Sequence, residues 1–350
     1  MQRLMMACSC SIVPIAVLKR YAKDHHFPVE TRVDWLSSVH ADEAFRKMRS
    51  TTPRYSLSGG SAGLTPSAPT NEGTARSLVF DCAQSTALPG NAIASPETSS
   101  DTTVARTATV TMDVIRFYSS LFHHDSIDGR GGDVISSVHY GRGYNNAFWR
   151  INQMAYGDGD GRLFNDFTLS PDVICHELTH GITQFTAELN YSAQAGGLNE
   201  SMSDIFGSMF RQWRQQQDVK QADWLIGAEI IGPIPRNQGI TCLRDLANPA
   251  AQHCLAPQIS HMKDFKPRMD PHESSGIANT AFYTAAMALR GYSWEVLGKI
   301  WYGALTDYPP APRLTFRQFA ERTRRQASKQ FPGNVGALNA INKGWERVGL

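Results

Sequence analysis

The heptapeptide ICHELTH, residues 174–180, carries two histidines four positions apart and a glutamate directly after the first. Residues at i and i+4 of a helix share one face, so His176 and His180 can reach one ion. Glu177 would project beside that ion, where a carboxylate can hold and deprotonate a metal-bound water. The pattern is short, and alone it fits equally well a helix that carries two unrelated histidines. On a helix Cys175 points about 100° away from His176, which predicts a buried thiol in the helix packing.

Residues downstream favour a catalytic zinc, which needs three protein ligands and one open position. A histidine six residues after His180 would be one source of the third ligand, but Thr186 stands there. A second helix is expected to open near Asn199, and Glu200 on that helix can supply the third ligand. Asp204 follows on the same face, where its carboxylate can accept a hydrogen bond from a ligand histidine.

Several further motifs follow one another along the chain. HELTH is followed after 19 residues by Glu200 within NESMSDIFG, and His272 lies in DPHESSG, where it could donate a hydrogen bond to an oxyanion. With SSVHYGRGYNNAFW, MAYGDGDG, HESSGIANTAFY, LGKIWYGAL and the closing NKGWERVGL, they make residues 78–350 resemble the thermolysin family of zinc endopeptidases. CSIVP near the N-terminus, a short pro-region and VFDCAQSTALPG resemble the protealysin branch of that family, which has a short propeptide.

The resemblance implies an α+β fold of two lobes, with zinc in the cleft between them. The β-rich N-terminal lobe would cover residues 78–185, including the HELTH helix, and the helical C-terminal lobe would cover residues 186–350. Residues 1–52 would be a propeptide that acts as an intramolecular inhibitor. Residues 53–77 are rich in Ser, Gly, Pro and Thr, which predicts a flexible linker and the region of proteolytic processing.

The resemblance also implies a role for each matching residue. Zinc would be bound by His176, His180 and Glu200, with Glu177 as general base and with Tyr191 and His272 stabilising the oxyanion. The residues that orient these groups would be Asp204 and Asn199 for the zinc histidines and Asp270 for His272. Substrate-binding residues would be Asn146 and Ala147 for the peptide backbone, Arg244 for a carbonyl, and Phe164, Phe167, Val173, Ile226 and Leu243 for the side chain after the scissile bond.

The expected function is that of a zinc-dependent endopeptidase, made as a zymogen and acting on proteins or peptides. An apolar pocket rewards apolar burial and rejects charge, which predicts cleavage before large hydrophobic residues. The alternative is a non-catalytic relative that binds peptides or a partner through the same cleft. Pro271, which alters the loop before His272, favours this alternative, whereas the intact Glu177 argues against it.

A calcium site is where the chain departs most from the family pattern. Acidic residues remain at Asp172 and Asp223, but Arg211, Leu225 and Ala228 stand where further acids would be expected. A hard divalent cation needs six or more oxygen ligands. We therefore expect no double calcium site and at most a single weak one, with the guanidinium of Arg211 neutralising the remaining acids.

Charge and hydropathy limit the partners and the location of the protein. With 34 basic and 32 acidic residues the net charge is +2, which excludes nucleic acid and an anionic membrane as main partners. No apolar run reaches the length of a membrane-spanning helix. The basic start and the apolar run from Leu4 to Leu18 imitate a secretory signal, although Pro14 interrupts the run. We expect a secreted or exported protein, with a cytoplasmic precursor as the alternative.

Three of the six cysteines raise separate questions. Cys10 within CSIVP could bind zinc through its thiolate and keep the precursor inactive. In the alternative, this segment blocks the cleft by packing apolar residues into it, without a bond from sulfur to zinc. Cys242 and Cys254 lie 12 positions apart in a loop-like region and could form a local disulfide.

Overall fold

The structure is a computed structural model that describes residues 4–5, 9–51, 55–56 and 75–350. The predicted linker, residues 53–77, lies largely outside the described residues. The N-terminal part of the chain contains β1 (Leu4–Met5), β2 (Ser9–Ser11), α1 (Ile15–Ala22), α2 (Val29–Thr51) and β3 (Tyr55–Ser56). Helix α1 begins directly after Pro14 and buries Val17, Leu18 and Tyr21. This spacing gives one apolar face, which packs on Trp35 of α2, with the rings of Tyr21 and Trp35 6.0 Å apart.

A six-stranded sheet forms the centre of the next part of the chain. Its strands run in the order β2-β7-β8-β6-β4-β5, and its later strands are β4 (Ser77–Asp81), β5 (Asn91–Ala92), β6 (Val134–Val138), β7 (Ala147–Arg150) and β8 (Gln153–Tyr156). Strands β4, β6 and β8 are parallel, and β7 is antiparallel to β8. The N-terminal segment supplies the edge strand, because β2 pairs antiparallel with β7.

Three long helices connect this sheet to the rest of the molecule: α3 (Thr102–Phe122), α4 (Pro171–Phe185) and α5 (Ala193–Gln215). The carboxylate of Asp101 accepts hydrogen bonds from the first N–H groups of α3 and caps its N-terminus. Two glycines bring α4 close to its neighbours. A Cβ on Gly181 would lie 2.6 Å from Ile127, and one on Gly207 of α5 would lie 2.7 Å from the Asp172 carbonyl oxygen of α4.

The remaining elements are mainly helical. They are β9 (Leu225–Ile226), α6 (Pro233–Asn237), β10 (Arg244–Asp245), α7 (Pro271–Ser274), α8 (Gly276–Leu289), α9 (Val296–Thr306), α10 (Phe316–Gln330) and α11 (Val335–Arg347). Their core includes Trp301 and Trp345, whose rings stack with centroids 6.0 Å apart. The fold is therefore that of a sheet-containing N-terminal domain and a helical C-terminal domain. Within the residues described, the structure has no helix that is both long and apolar enough to span a membrane.

Helix α5 begins six residues before Asn199, where the sequence predicts its start. The sequence predicts this start too late because the glycine pair Gly196 and Gly197 weakens a helix in isolation. Here the pair is held by packing, since a Cβ on Gly196 would lie 2.8 Å from Pro271 and one on Gly197 would lie 2.6 Å from Ser274. The close approach of α5 to α7 therefore requires glycine at both positions.

Candidate functional site

Helices α4 and α5 bring together the three predicted zinc ligands. The ligand atoms of His176, His180 and Glu200 all lie within 4.8 Å of one another, and the three side chains are fully buried. Nε2 of both histidines and Oε2 of Glu200 have no hydrogen-bond partner. Three buried polar atoms that converge without partners are costly unless an ion satisfies them. Two imidazoles and a carboxylate match the three protein ligands of a catalytic zinc, whose fourth ligand would be a water.

The two histidines are held by groups behind them. Nδ1 of His176 lies 2.9 Å from Asp204 Oδ1, at ion-pair distance, and Nδ1 of His180 donates a hydrogen bond to Asn199 Oδ1 at 2.8 Å. Because each Nδ1 faces an acceptor oxygen, the proton is favoured on Nδ1, and the Nε2 lone pairs are then free to face the ligand cluster. The structure therefore brings Asp204 and Asn199 to the positions that the sequence predicts for them.

Burial and neighbouring charges determine the protonation states of His180 and Asp204. Burial lowers the pKa of His180 to about 3, so this ring is neutral and able to bind a cation. Burial opposes the ionisation of Asp204, yet the guanidinium of Arg244 holds the pKa of this carboxyl at about 2. Nε and Nη2 of Arg244 donate to Asp204 at distances of 2.7–3.1 Å, which makes the pair bidentate. Sequence reasoning did not predict this contact.

Glu177 lies beside the ligand cluster on α4. Its Oε2 accepts a hydrogen bond of 2.9 Å from the backbone N–H of Trp149, a contact that the sequence does not reveal because it joins two distant segments. Burial, followed by the negative charge of Glu200, raises the pKa of Glu177 well above its usual value. A carboxylate with a raised pKa is a stronger base, which suits a group that must take a proton from water.

Tyr191 and His272 lie on the other side of Glu200. The hydroxyl of Tyr191 donates to Glu200 Oε1 and lies 3.2 Å from Nε2 of His272. Nδ1 of His272 lies 2.7 Å from Asp270 Oδ1, and the same oxygen accepts from the His272 backbone N–H. Pro271 occupies the first turn of α7, where its missing N–H has no helical partner to lose. The altered loop therefore keeps the contact between Asp270 and His272.

The five residues predicted to line the pocket are all fully buried: Phe164, Phe167, Val173, Ile226 and Leu243. They belong to the main hydrophobic core of the protein, which extends into the C-terminal helices and also contains Ile12 of the N-terminal segment. The rings of Phe164 and Phe167 lie 5.3 Å apart, and the N–H of Leu243 donates to the carbonyl of Ile226 at 2.9 Å.

The N-terminal segment engages the residues predicted to bind substrate backbone. The N–H of Ile12 donates to the Ala147 carbonyl at 3.1 Å. Asn146 accepts from the N–H of Val13 at 3.0 Å and donates to its carbonyl at 3.2 Å. The segment thus continues the pairing of β2 along β7 as an extended chain.

The side chains of Arg244 and His272 also contact the backbone of the N-terminal segment. Arg244 Nη1 donates to the carbonyl of Ile12 at 2.9 Å, and His272 Nε2 donates to the carbonyl of Ser11 at 2.7 Å. The backbone of residues 11–13 therefore meets four of the residues that the sequence assigns to substrate or oxyanion. The carbonyl of Ser11 contacts the same nitrogen that would stabilise an oxyanion.

Cys10 does not fit the prediction of a zinc-binding thiolate. It is fully buried and disulfide-bonded, and it stands opposite Trp149 in the β2–β7 register. A disulfide sulfur carries no thiolate, so the structure provides no sulfur ligand from this residue. Cys175 is buried in the helix packing, as expected, and its Sγ lies 3.5 Å from the Phe206 carbonyl oxygen, to which it donates.

Asp42 on α2 is a further residue that sequence reasoning missed. It is 3% exposed, and it accepts hydrogen bonds from Asn146 Nδ2 at 2.7 Å and from the Tyr144 hydroxyl at 2.5 Å. Ser38, one helical turn earlier, accepts from the N–H of Asn145 at 3.1 Å. The signal available in the sequence is that Ser38 and Asp42 are a polar pair at i and i+4, which lie on one face of a helix.

The region where at most a single weak calcium site is expected contains an ion-pair cluster around Arg211. Its guanidinium nitrogens lie 2.7 Å from Glu229, 3.3 Å from Asp223 and 3.8 Å from Asp172. The cation therefore stands among the remaining acids, as the sequence suggests.

Family models and relatives agree with this geometry. Residues 69–184 match the model of the thermolysin metallopeptidase catalytic domain, and residues 187–350 match that of its alpha-helical domain. An extracellular metalloprotease of Pectobacterium carotovorum subsp. carotovorum is 40% identical over 79% of this chain and 82% of its own length. Protease PrtS of Photorhabdus sp. (strain Az29) is 38% identical over 78% of this chain and 76% of its own.

A solved structure is similar over almost the whole chain. The precursor of protealysin, a metalloproteinase from Serratia proteamaculans, has a TM-score of 0.79 and 32% identity, covering 97% of this chain and 99% of that one. Because the match covers nearly all of both chains, it includes the N-terminal segment. The chain belongs to the thermolysin family and is a metalloendopeptidase.

Proposed function

We propose that this chain is the latent precursor of a zinc endopeptidase that cleaves before large hydrophobic residues. The observation that carries the proposal is the course of residues 11–13 beside the cluster of His176, His180 and Glu200. This segment is paired to β7 as a substrate strand would be, and it uses Asn146 and Arg244 as its partners.

Zinc held by His176, His180 and Glu200 would lower the pKa of a bound water and polarise the scissile carbonyl. Glu177 takes the proton of that water and later passes it to the leaving amine. Tyr191 and His272 donate hydrogen bonds to the oxyanion, and buried donors of this kind need no reorganisation during the reaction.

Backbone recognition falls to residues that the N-terminal segment already contacts. The carbonyl of Ala147 and the amide of Asn146 would bind a substrate strand, and Arg244 would hold the carbonyl after the scissile bond. Asp204 fixes the plane of this guanidinium through two hydrogen bonds. The side chain that follows the scissile bond would enter the pocket formed by the five buried apolar residues, and Ile12 is the kind of side chain such a pocket rewards.

We further propose that residues 1–52, here called the prosegment, inhibit the enzyme by occupying the substrate path. Support comes from Asp42 and Ser38 of α2, which contact Asn146 and Asn145. Removal by cleavage within residues 53–77 would then free the cleft. The relative named extracellular supports an activity outside the cell.

The processed enzyme should hydrolyse casein in the presence of zinc and lose this activity with a chelator. Glu177→Gln should lower kcat by several orders of magnitude while zinc content stays unchanged, because Glu177 is not among the three grouped ligands. Glu346→Gln is the matched control, since Glu346 is exposed on α11. If the processed, zinc-loaded wild type binds peptides without cleaving any, the protein is instead a non-catalytic relative that binds peptides through this cleft.

A further inference from the structure

A second group of metal-binding side chains lies outside the catalytic cluster. Cys242, His253 and Cys254 each offer a ligand atom, and these atoms all lie within 4.8 Å of one another. Cys242 is fully buried, and Cys254 is 4% exposed. Both sulfurs are free thiols in the structure, so they are not joined as a disulfide.

The backbone around the group is fixed by hydrogen bonds. The N–H of Thr241 donates to the His253 carbonyl at 3.0 Å, and the N–H of Leu255 donates to the Cys242 carbonyl at 3.0 Å. The imidazole is also held, because Asp245 Oδ2 lies 3.1 Å from its Nε2. A carboxylate on a ligand histidine is a common way of orienting the ring towards a metal.

The spacing of the two sulfurs fits a metal better than a disulfide. They lie 3.9 Å apart, whereas a disulfide requires about 2.05 Å. Two thiolates bound to a tetrahedral zinc at about 2.3 Å are separated by about 3.8 Å. Thiolate and imidazole together favour zinc or a metal of similar softness over calcium or magnesium.

We propose that Cys242, His253 and Cys254 bind a second metal ion of the zinc class. Binding releases the two thiol protons to solvent, since the thiolate is the ligand form. The side chain of His253 is 38% exposed, so a water from solvent can complete the tetrahedron.

This site would hold the loop that presents two substrate-binding residues. Leu243 and Arg244 lie directly between Cys242 and Asp245 in the chain. The N–H of Ala256 donates to the Leu243 carbonyl at 2.9 Å, so the segment after Cys254 also supports this strand. The second metal is therefore a positioning element for Arg244, and it touches no reacting atom.

The test uses the full-length chain carrying Glu177→Gln, purified without reductant, stripped of metal and reloaded with cobalt. Thiolate-bound cobalt gives a sulfur-to-metal charge-transfer band in the near ultraviolet, which the nitrogen and oxygen ligands of the catalytic group do not produce. We expect this band, and two metal ions per chain by elemental mass spectrometry, one for each of the two groups. The double variant Cys242→Ser/Cys254→Ser should lose the band and one ion.

Two controls make the outcome specific. Cys82→Ser removes another buried thiol and should keep both ions and the band. His176→Ala/His180→Ala should lose the catalytic ion and keep the band, so this result is independent of the proposed protease mechanism. A folded parent protein with one ion and no band would overturn the proposal, as would an intact mass showing Cys242 and Cys254 oxidised to a disulfide. The parent protein alone decides this, even if the serine variant does not fold.

Discussion

Ile12→Ala should release the precursor from inhibition. Ile12 is fully buried in the main hydrophobic core, which also contains the residues of the predicted pocket. Truncation of a buried isoleucine to alanine costs about 2–5 kcal/mol. We expect the lower part of this range, about 2–3 kcal/mol, because the backbone contacts with Ala147 and Arg244 survive. At about 1.4 kcal/mol per tenfold, the open fraction should rise about 30- to 150-fold.

The assay is the initial rate at which the unprocessed precursor hydrolyses an internally quenched peptide. Before any processing appears on a gel, this rate is proportional to the fraction of molecules with an open cleft. Val33→Ala is the matched control, because it also removes methyl groups from a β-branched residue of the prosegment, and Val33 is 56% exposed. It should leave the rate of the precursor unchanged.

The rate of the mature enzyme sets the ceiling of this effect. If Ile12→Ala stays as latent as Val33→Ala, the side chain of Ile12 contributes nothing to closure. The idea that the prosegment uses the pocket for the residue after the scissile bond would then be wrong. The backbone contacts of residues 11–13 would have to carry the inhibition alone.

Two further predictions are measured by denaturant unfolding of the inactive Glu177→Gln precursor. Arg211→Met removes the cation beside the buried Asp172, which should cost about 3 kcal/mol and make the variant responsive to added calcium; a parent protein stabilised by calcium would contradict this. The hydrogen bond to Asp158 raises the pKa of His139 to about 9, above its unfolded value of about 6.5. This contribution to stability is therefore complete below about pH 6.5 and is lost as the pH rises through about 9. His139→Gln should remove that pH dependence, and identical slopes in variant and parent would refute it.

Local patterns predict the elements that carry the metal ligands. The helix expected to carry HELTH is observed as Pro171–Phe185, because proline fits the first turn and the apolar spacing is helical. The i and i+4 spacing of His176 and His180 then leaves little freedom in how they face an ion. The sequence also places Glu200 on the next helix. Its side chain is buried there, although that helix begins earlier than expected.

Contacts between distant segments could not be predicted in this way. The pairing of Cys10 with Trp149 joins residues that are far apart, and no local periodicity specifies its register. The burial of Asp42 could not be predicted either, because it depends on contact with the distant residue Asn146. The spacing of Cys242 and Cys254 leaves a disulfide open as one possibility. It does not indicate a role for His253, because a histidine next to a cysteine is uninformative until the fold turns both towards one point.

In the proposed function, the prosegment and a substrate would compete for the same hydrogen-bond donor of Arg244. It is fully buried, and it links the carbonyl of Ile12 to Asp204, which in turn holds His176. When the prosegment leaves, Nη1 of Arg244 loses its carbonyl partner, and an unpaired buried donor costs about 1–3 kcal/mol unless water replaces that partner. A substrate carbonyl at the same point restores the hydrogen bond without moving the guanidinium, because Asp204 keeps it in place. If the prosegment inhibits as proposed, the contacts that make the precursor latent would also preserve the geometry that the free enzyme needs for substrate.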